Sequence, residues 1–224
     1  GAAWARNDRE LAAFVISGSS RSLVWMDAES GRERPLLAVA GSFIQPILAS
    51  YDGRFLTLNE QGAGGKYDIR YLRLDAAQPK LSGYLETPAN ETGGALSAGG
   101  DWIAYFSDAS GAQERWLDRF PAGGEPRRIP ADGTAAGAFW MRGDAELLYV
   151  VAEKAGYVIY TRSTRTKPTL ELGAPQRRFA LPLDIIDFTF TPDGDRFVLL
   201  RGAGRLVPSL TRVENWAAQL EAAP

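Results

Sequence analysis

With 224 residues, 45% of them hydrophobic and 23% charged, the chain can bury one sizeable core. Its formal net charge of −2 gives no electrostatic case for nucleic acid or an anionic membrane surface. It contains neither Cys nor His, which excludes disulfides, thiolate nucleophiles, Cys-ligated zinc, Ser-His-Asp triads and His-ligated metal centres built from this chain alone, and no apolar run is long enough to span a bilayer.

Taken in order, the segments read as short strands separated by tight turns. GAAWA (1–5) leads through Asn7-Asp8 into ELAAF, then SLVWMD (22–27), a turn near Glu29-Ser30-Gly31, and RPLLAV (34–39). PILAS leads through Asp52-Gly53 into RFLTL, then YDIRYLRLD (67–75) and KLSGYLE (80–86). GGALS leads through Gly99-Gly100 into DWIAYF, then ERWLDRF (114–120), Gly123-Gly124 and EPRRIPA (125–131). GAFWM leads through Gly143-Asp144 into AELLYV, then GYVIYTRST (156–164) and, after a longer excursion, QRRFAL (176–181). DFTFT leads through Asp193-Gly194 into DRFVLL and SLTRV (209–213). Tyr67, Ile69 and Tyr71 show the period-2 alternation of a half-buried strand. ENWAAQLEAA (214–223), with Trp216 and Leu220 at i and i+4, predicts a short terminal helix.

The turn pairs begin at 7, 52, 99, 143 and 193, every 44 to 50 residues. Gly, Asn and Asp recur there because these turns need positive φ or an Asx hydrogen bond. Several short strands per unit and a period in the forties predict an all-β protein: a β-propeller of about five four-stranded antiparallel blades in one domain, 1–224. The repeats fall at approximately 1–40, 41–88, 89–132, 133–182 and 183–224. The first repeat starts with its innermost strand and the last lacks an evident fourth strand. Two readings stay open: a five-bladed ring sealed by the terminal helix, or a six-bladed ring truncated by one upstream blade. In the second, the open blade edge invites self-association. Gly1 opens the chain without a charged-then-apolar leader, as a mature chain or a piece of a longer one would.

Residues 95–150 resemble the TolB-like, WD40-like (PD40) propeller repeat. The nearest likeness is to the propeller at the C-terminal end of some bacterial serine/threonine kinases and winged-helix regulators. RTKPTLELGAPQRRFALP (165–182), with Pro168, Gly173, Pro175 and Phe179, matches an excursion of that subfamily, and FTPDGDRFVLLRG with LTRVENWAAQL resembles its closing segment. The sequence departs from the pattern at Gly99-Gly100, where Asp-Gly is usual, and lacks the usual Pro before Asp52. The resemblance implies a non-catalytic module binding a protein or small-molecule ligand, as the sensory or scaffolding domain of a larger bacterial signalling protein. It favours an extracytoplasmic setting, without direct membrane insertion.

The motifs that suggest catalysis are incomplete. Gly94-x-x-Ser97-x-Gly99 is one residue too long for a nucleophile elbow and has no His beside it. GAGGK (62–66) lacks the Ser/Thr of a phosphate loop and sits between strands. Asp193-Gly194-Asp195 offers two carboxylates, too few for a calcium loop, and Asn90-Glu91-Thr92 is a formal glycosylation sequon. A carbohydrate-active enzyme or sugar-binding propeller is the alternative, but it needs converging acids, and the inner strands hold only Asp187. No catalytic residue, metal ligand or cofactor site is therefore assigned.

Trp4, Trp102, Tyr105, Trp140 and Tyr149 occupy related places and are expected to pack between blades. Trp25 and Trp116 lie on third strands and, where exposed, are the first candidates for ligand contact. Arg162, Arg165, Lys167, Arg177 and Arg178 bunch in the fourth repeat, with Arg127 and Arg128 in the third. They form either a patch for an anionic partner or an ordinary solvated face.

Overall fold

The computed structural model describes residues 2–5, 9–18, 20–39, 43–130, 133–182, 184–191, 195–202 and 209–214. Among them, every regular element is a strand apart from one 3-10 turn at Arg142–Asp144. The expected terminal helix and the turns at Asn7-Asp8 and Asp193-Gly194 lie outside the described residues, although Glu214 closes a strand.

The chain divides into two compact units, Gly1–Pro130 and Ala131–Pro224. In the first unit, β1 (Ala2–Trp4), β2 (Glu10–Ser17), β3 (Ser20–Asp27) and β4 (Glu33–Ala38) form an antiparallel meander. The second sheet repeats the plan with β5 (Phe43–Ala49), β6 (Phe55–Gln61), β7 (Tyr67–Arg73) and β8 (Leu81–Leu85). The third holds β9 (Glu91–Leu96), β10 (Trp102–Ser107), β11 (Glu114–Arg119) and β12, which is only Arg127–Arg128. Pro126 and Pro130 bracket β12, and proline cannot donate to a ladder, so the strand expected over 125–131 shrinks to its centre.

In the second unit, β13 (Thr134–Met141), β14 (Glu146–Glu153) and β15 (Gly156–Arg165) pair in sequence. The outer side of β15 is shared by β16 (Glu171–Leu172) and β17 (Gln176–Pro182). Among the described residues the last sheet has three strands: β18 (Ile185–Phe190), β19 (Arg196–Arg201) and β20 (Ser209–Glu214).

Alternation sends one side of each strand into a core. Ala3, Ala12, Leu23 and Trp25 of the first sheet pack with Ile44, Ala49, Leu56, Leu58 and Leu72 of the second. Phe55 and Ile69 of the second meet Leu96, Ile103 and Tyr105 of the third, and Phe120 lies edge-on to Phe55 at 5.1 Å. Gly94 sits at φ +112° with its α-carbon turned toward Thr57, whose hydroxyl donates to the Gly94 carbonyl at 2.7 Å. A Cβ there would come within 3.3 Å of the Thr57 Cβ, a tight contact, and the positive φ favours glycine in any case. In the second unit, Met141, Leu148, Val150, Ile159 and Leu181 pack with Ile185 and Phe197.

The turn after each first strand is one device used repeatedly. The amide of Ala5, Ser50, Ser97 or Thr191 donates to the carbonyl five residues on, in Glu10, Phe55, Trp102 and Arg196, at 2.8 to 3.0 Å. The Ser50, Ser97 and Thr191 hydroxyls in turn accept from the amides of Phe55, Trp102 and Arg196 at 2.9, 3.2 and 3.2 Å. The fourth turn departs from this: Gly143 and Asp144 take φ of 61° and 74° inside the 3-10 turn.

Trp102, Tyr105 and Tyr149 are buried, as repeat-equivalent aromatics should be. Trp4 corrects the expectation, being 56% exposed. In β1 only Ala3, between two exposed neighbours, turns into the core with the second sheet.

Candidate functional site

A surface cleft lies on the first sheet, where the β3–β4 turn meets the start of β2. Asp27 ends β3 and organises it. Its Oδ1 accepts from the Ser30 amide at 2.8 Å and the Ser30 hydroxyl at 2.7 Å, while its Oδ2 accepts from Arg9 Nε at 3.0 Å. The Ser30 amide, then its hydroxyl, then Arg9 hold the Asp27 carboxyl well below the ordinary carboxylate range. Backbone bonds from Asp27 N to Arg32 O and from Gly31 N to Asp27 O, both 2.9 Å, close the loop.

Beside this loop is an open cleft of about 510 Å³, lined by Arg9, Glu10, Asp27, Ser30, Arg32 and Arg34 among others. Arg34 reaches Glu10 at 3.3 Å across β4 to β2. The Arg32 and Glu33 side chains are exposed, with no partner among the described residues. The cleft thus presents two internally matched ion pairs and two uncommitted opposite charges. Being open to water, each pair contributes little to stability. No motif marked this cleft in the sequence; the only signal was the alternation of acidic and basic residues around Glu29-Ser30-Gly31.

The residues singled out from sequence separate on inspection. Trp25, 7% exposed, belongs to the core between the first two sheets, so the exposure that would make it a contact residue is not met. Its side of β3 explains this, since its cross-strand partner Ala12 is buried too. Trp116 is half-buried against the core between the second and third sheets.

The fourth sheet does bring Arg162, Arg165, Arg177 and Arg178 together on β15 and β17, but most are already engaged. Arg162 donates to the Gly173 carbonyl at 3.0 Å and lies 5.9 Å from the Tyr149 ring centroid. Arg165 pairs with Glu171. Arg178 donates to Thr161 Oγ1 at 2.8 Å and pairs with Glu146 at 2.8 Å. Arg177 is exposed, without a partner among the described residues. In the third sheet, Arg128 pairs with Glu114 at 2.6 Å.

The incomplete motifs are structural. Ser97 is the hydroxyl of a turn, and GAGGK closes the β6–β7 hairpin through Gly62 N to Lys66 O at 2.9 Å. Asn90 of the sequon accepts from the Tyr67 amide at 2.9 Å, and its own amide donates to Asp108 at 2.8 Å.

Two buried acids escaped the sequence reading, Glu91 and Asp118, 1% and 4% exposed. Glu91 Oε1 accepts from the Thr87 hydroxyl and, at 3.5 Å, from that of Ser107. Asp118 accepts the Tyr84 hydroxyl and the Arg119 amide at 3.0 and 2.7 Å. Burial, and then the Asp118 charge, push the Tyr84 phenol far above its ordinary range. Among the described residues no group of three or more acidic side chains could hold a metal ion, and no helix is long and apolar enough to cross a membrane.

Comparison with solved structures decides the architecture. The chain superposes on TolB from Acinetobacter baumannii with a TM-score of 0.72 at 16% identity, covering 97% of this chain and 52% of that one. It has the TolB-like β-propeller fold. A TolB-type structure from Agrobacterium tumefaciens matches at TM-score 0.68 and 13% identity, over 97% of this propeller and 77% of that chain. Oligogalacturonate lyase from Vibrio parahaemolyticus matches at TM-score 0.63 and 15% identity, over 94% and 61%. The propeller therefore spans about half the length of the A. baumannii protein, and enzymes as well as TolB share its fold. No protein-family model and no curated protein sequence matches the chain.

Proposed function

We propose that the protein is a binding module, a propeller that recognises a protein segment or small ligand through charged turns and forms the sensory or scaffolding part of a larger bacterial signalling protein. The observation that carries this reading is the cleft on the first blade. Arg32 and Glu33 stand there uncommitted beside two satisfied pairs, Arg9–Asp27 and Arg34–Glu10. A ligand offering one carboxylate and one cation would meet complementary charges without breaking either pair. Arg177 on β17 and the accessible part of Trp116 on β11 are further candidate contact points, one charged and one aromatic.

The carbohydrate-active alternative asks for acids free to act as acid and base. The buried ones are bound to Thr87 and Tyr84, and Glu60 and Glu86 are both paired with Arg70. Panning the purified chain against a random peptide library on phage tests the binding reading. Selected peptides should carry paired opposite charges and should bind about tenfold more weakly to the Arg32→Glu variant. Conversion of oligogalacturonate by the purified chain, abolished by Glu91→Gln, would overturn it.

A further inference from the structure

The interface between the second and third blades ends, beyond its ring contacts, in two buried polar side chains. Thr57 and Asn59 lie two apart on β6 and so share a side, and the Thr57 hydroxyl, donating to the Gly94 carbonyl, shows that this side faces the third blade. On β10, Ile103, Tyr105 and Ser107 share the side that packs against Ile69 of the second blade, and Glu91 sits directly across from Ser107. The Tyr67 amide, two positions beyond the Ile69 that pairs with Asn59, donates to Asn90 at 2.9 Å. Asn59 and Glu91 therefore lie on facing sides of one interface, at its β6–β7 hairpin end.

Glu91 is 1% exposed and Asn59 5%. Glu91 Oε1 accepts from the Thr87 and Ser107 hydroxyls, but among the described residues nothing donates to its Oε2, nor to Asn59 Oδ1. No described arginine or lysine pairs with Glu91, and Lys66, at the same end, donates to the Pro88 carbonyl instead. Burying a carboxylate is costly unless a positive charge accompanies it. Two buried oxygens that lack donors call for the same thing.

We propose that Asn59 and Glu91 bind a monovalent metal cation between the second and third blades, with Glu91 Oε2 and Asn59 Oδ1 as its protein ligands. Oxygen donors suit a hard cation. One carboxylate balances one positive charge, whereas a divalent ion would leave a net charge buried in the interface, so sodium or potassium suits the site better than calcium or magnesium. The ion ties strands of two blades together, and its binding is therefore read as stability.

Thermal unfolding of the full chain in choline, sodium and potassium chloride at one ionic strength, followed by circular dichroism, tests this. Choline is too large for a buried site, so it supplies the ionic strength without the ligand. Replacing it by sodium or potassium should raise the melting temperature saturably, by about 3–6 °C at twenty times the dissociation constant. Glu91→Gln keeps the shape and removes the charge, so it should melt at one temperature in all three salts. Asn59→Asp adds a second carboxylate and should turn the preference to calcium, read as a rise in melting temperature that the wild type lacks. A wild type that melts alike in the three salts would overturn the proposal. So would a Glu91→Gln variant that keeps the wild-type cation dependence, which would put the ion elsewhere. If Glu91→Gln does not fold, Asn59→Asp decides, and its failure to respond to calcium would overturn the proposal.

Discussion

The second blade meets the third through a mixture of rings and polar groups, whereas, among the described residues, the fourth meets the fifth through aliphatic side chains and a cluster of phenylalanines, with no buried polar group among them. At the first interface Phe55, Tyr71, Tyr84 and Phe120 form a web of ring contacts at 5.1 to 6.0 Å, and Tyr84 anchors one end by donating to the buried Asp118. At the second, Phe197 touches Phe179, Phe188 and Phe190 with centroids at 5.2 to 6.4 Å, and Phe139 continues the set. The same geometry is filled by two chemistries. A purely apolar interface is sensitive to lost volume, while one with a buried phenol and carboxylate is sensitive also to orientation and to pH.

The largest effect should come from the apolar side. Phe197 is 1% exposed at the centre of its cluster, so Phe197→Ala removes a whole ring and leaves a cavity that three phenylalanines cannot close. The expected loss is about 3–5 kcal/mol in urea unfolding. A loss below about 1 kcal/mol would mean that the cluster repacks freely and the contrast between the interfaces is false.

Next comes Tyr84→Phe, which keeps the ring and deletes the hydroxyl. Asp118 then loses one donor while buried, at a cost of about 1–3 kcal/mol. The pH dependence gives a second handle. Burial holds both Tyr84 and Tyr105 protonated above the ordinary phenol range. In the unfolded chain they ionise near pH 10. Their contribution is therefore complete below about pH 10 and declines as pH rises beyond it, because only the unfolded state gains the charge. Tyr84→Phe should flatten part of that alkaline decline. An unchanged slope above pH 10 would show that folding does not hold the Tyr84 phenol protonated.

These interfaces also mark what the sequence could and could not disclose. The turns at Asp52-Gly53, Gly99-Gly100 and Gly143-Asp144 were legible because Gly, Asn and Asp are demanded by backbone geometry, which is local. Strand order followed, since consecutive short strands joined by tight turns pair as meanders. Side-chain destinations were not local. Trp4 and Leu96 hold equivalent places in the repeat, yet one is exposed and the other buried, because burial depends on which sheet lies alongside. The arginine bunch was visible as residues on adjoining strands, but its engagement by Glu146, Glu171 and the Gly173 carbonyl depends on register. The first-blade cleft has no motif at all, and its charges are ordinary until the Asp27 loop gathers them.

The turns sharpen the comparison further. In the fourth blade Gly143 takes φ of 61° with open space around the position a Cβ would fill, so Gly143→Ala isolates backbone strain from packing. A cost of about 1–2 kcal/mol is expected. Little or no change in melting temperature would mean that the 3-10 turn relaxes to a latch like the others.

Ser50→Ala, in the second blade, should be milder. Its hydroxyl accepts from the Phe55 amide and donates to Asp52 at 2.7 Å, so both bonds are lost. Yet the first blade already carries Ala5 at this position and keeps the flanking backbone bond at 2.8 Å. A cost of about 0.5–1.5 kcal/mol follows, that of a hydrogen bond in a turn that survives without it. Its distinguishing mark is in acid. Burial alone would raise the Asp52 carboxyl, and bonds from Ser50 and Arg54 outweigh it, so the group lies below the ordinary carboxylate range. A depressed carboxylate adds stability above its unfolded value, near pH 4, and that stability disappears as pH falls toward the folded value. Removing the Ser50 donor should shrink this increment, so the wild type and Ser50→Ala should differ most above about pH 4 and converge in stronger acid. A difference that stays constant down to pH 2 would assign the hydroxyl's whole effect to Phe55 and none to Asp52.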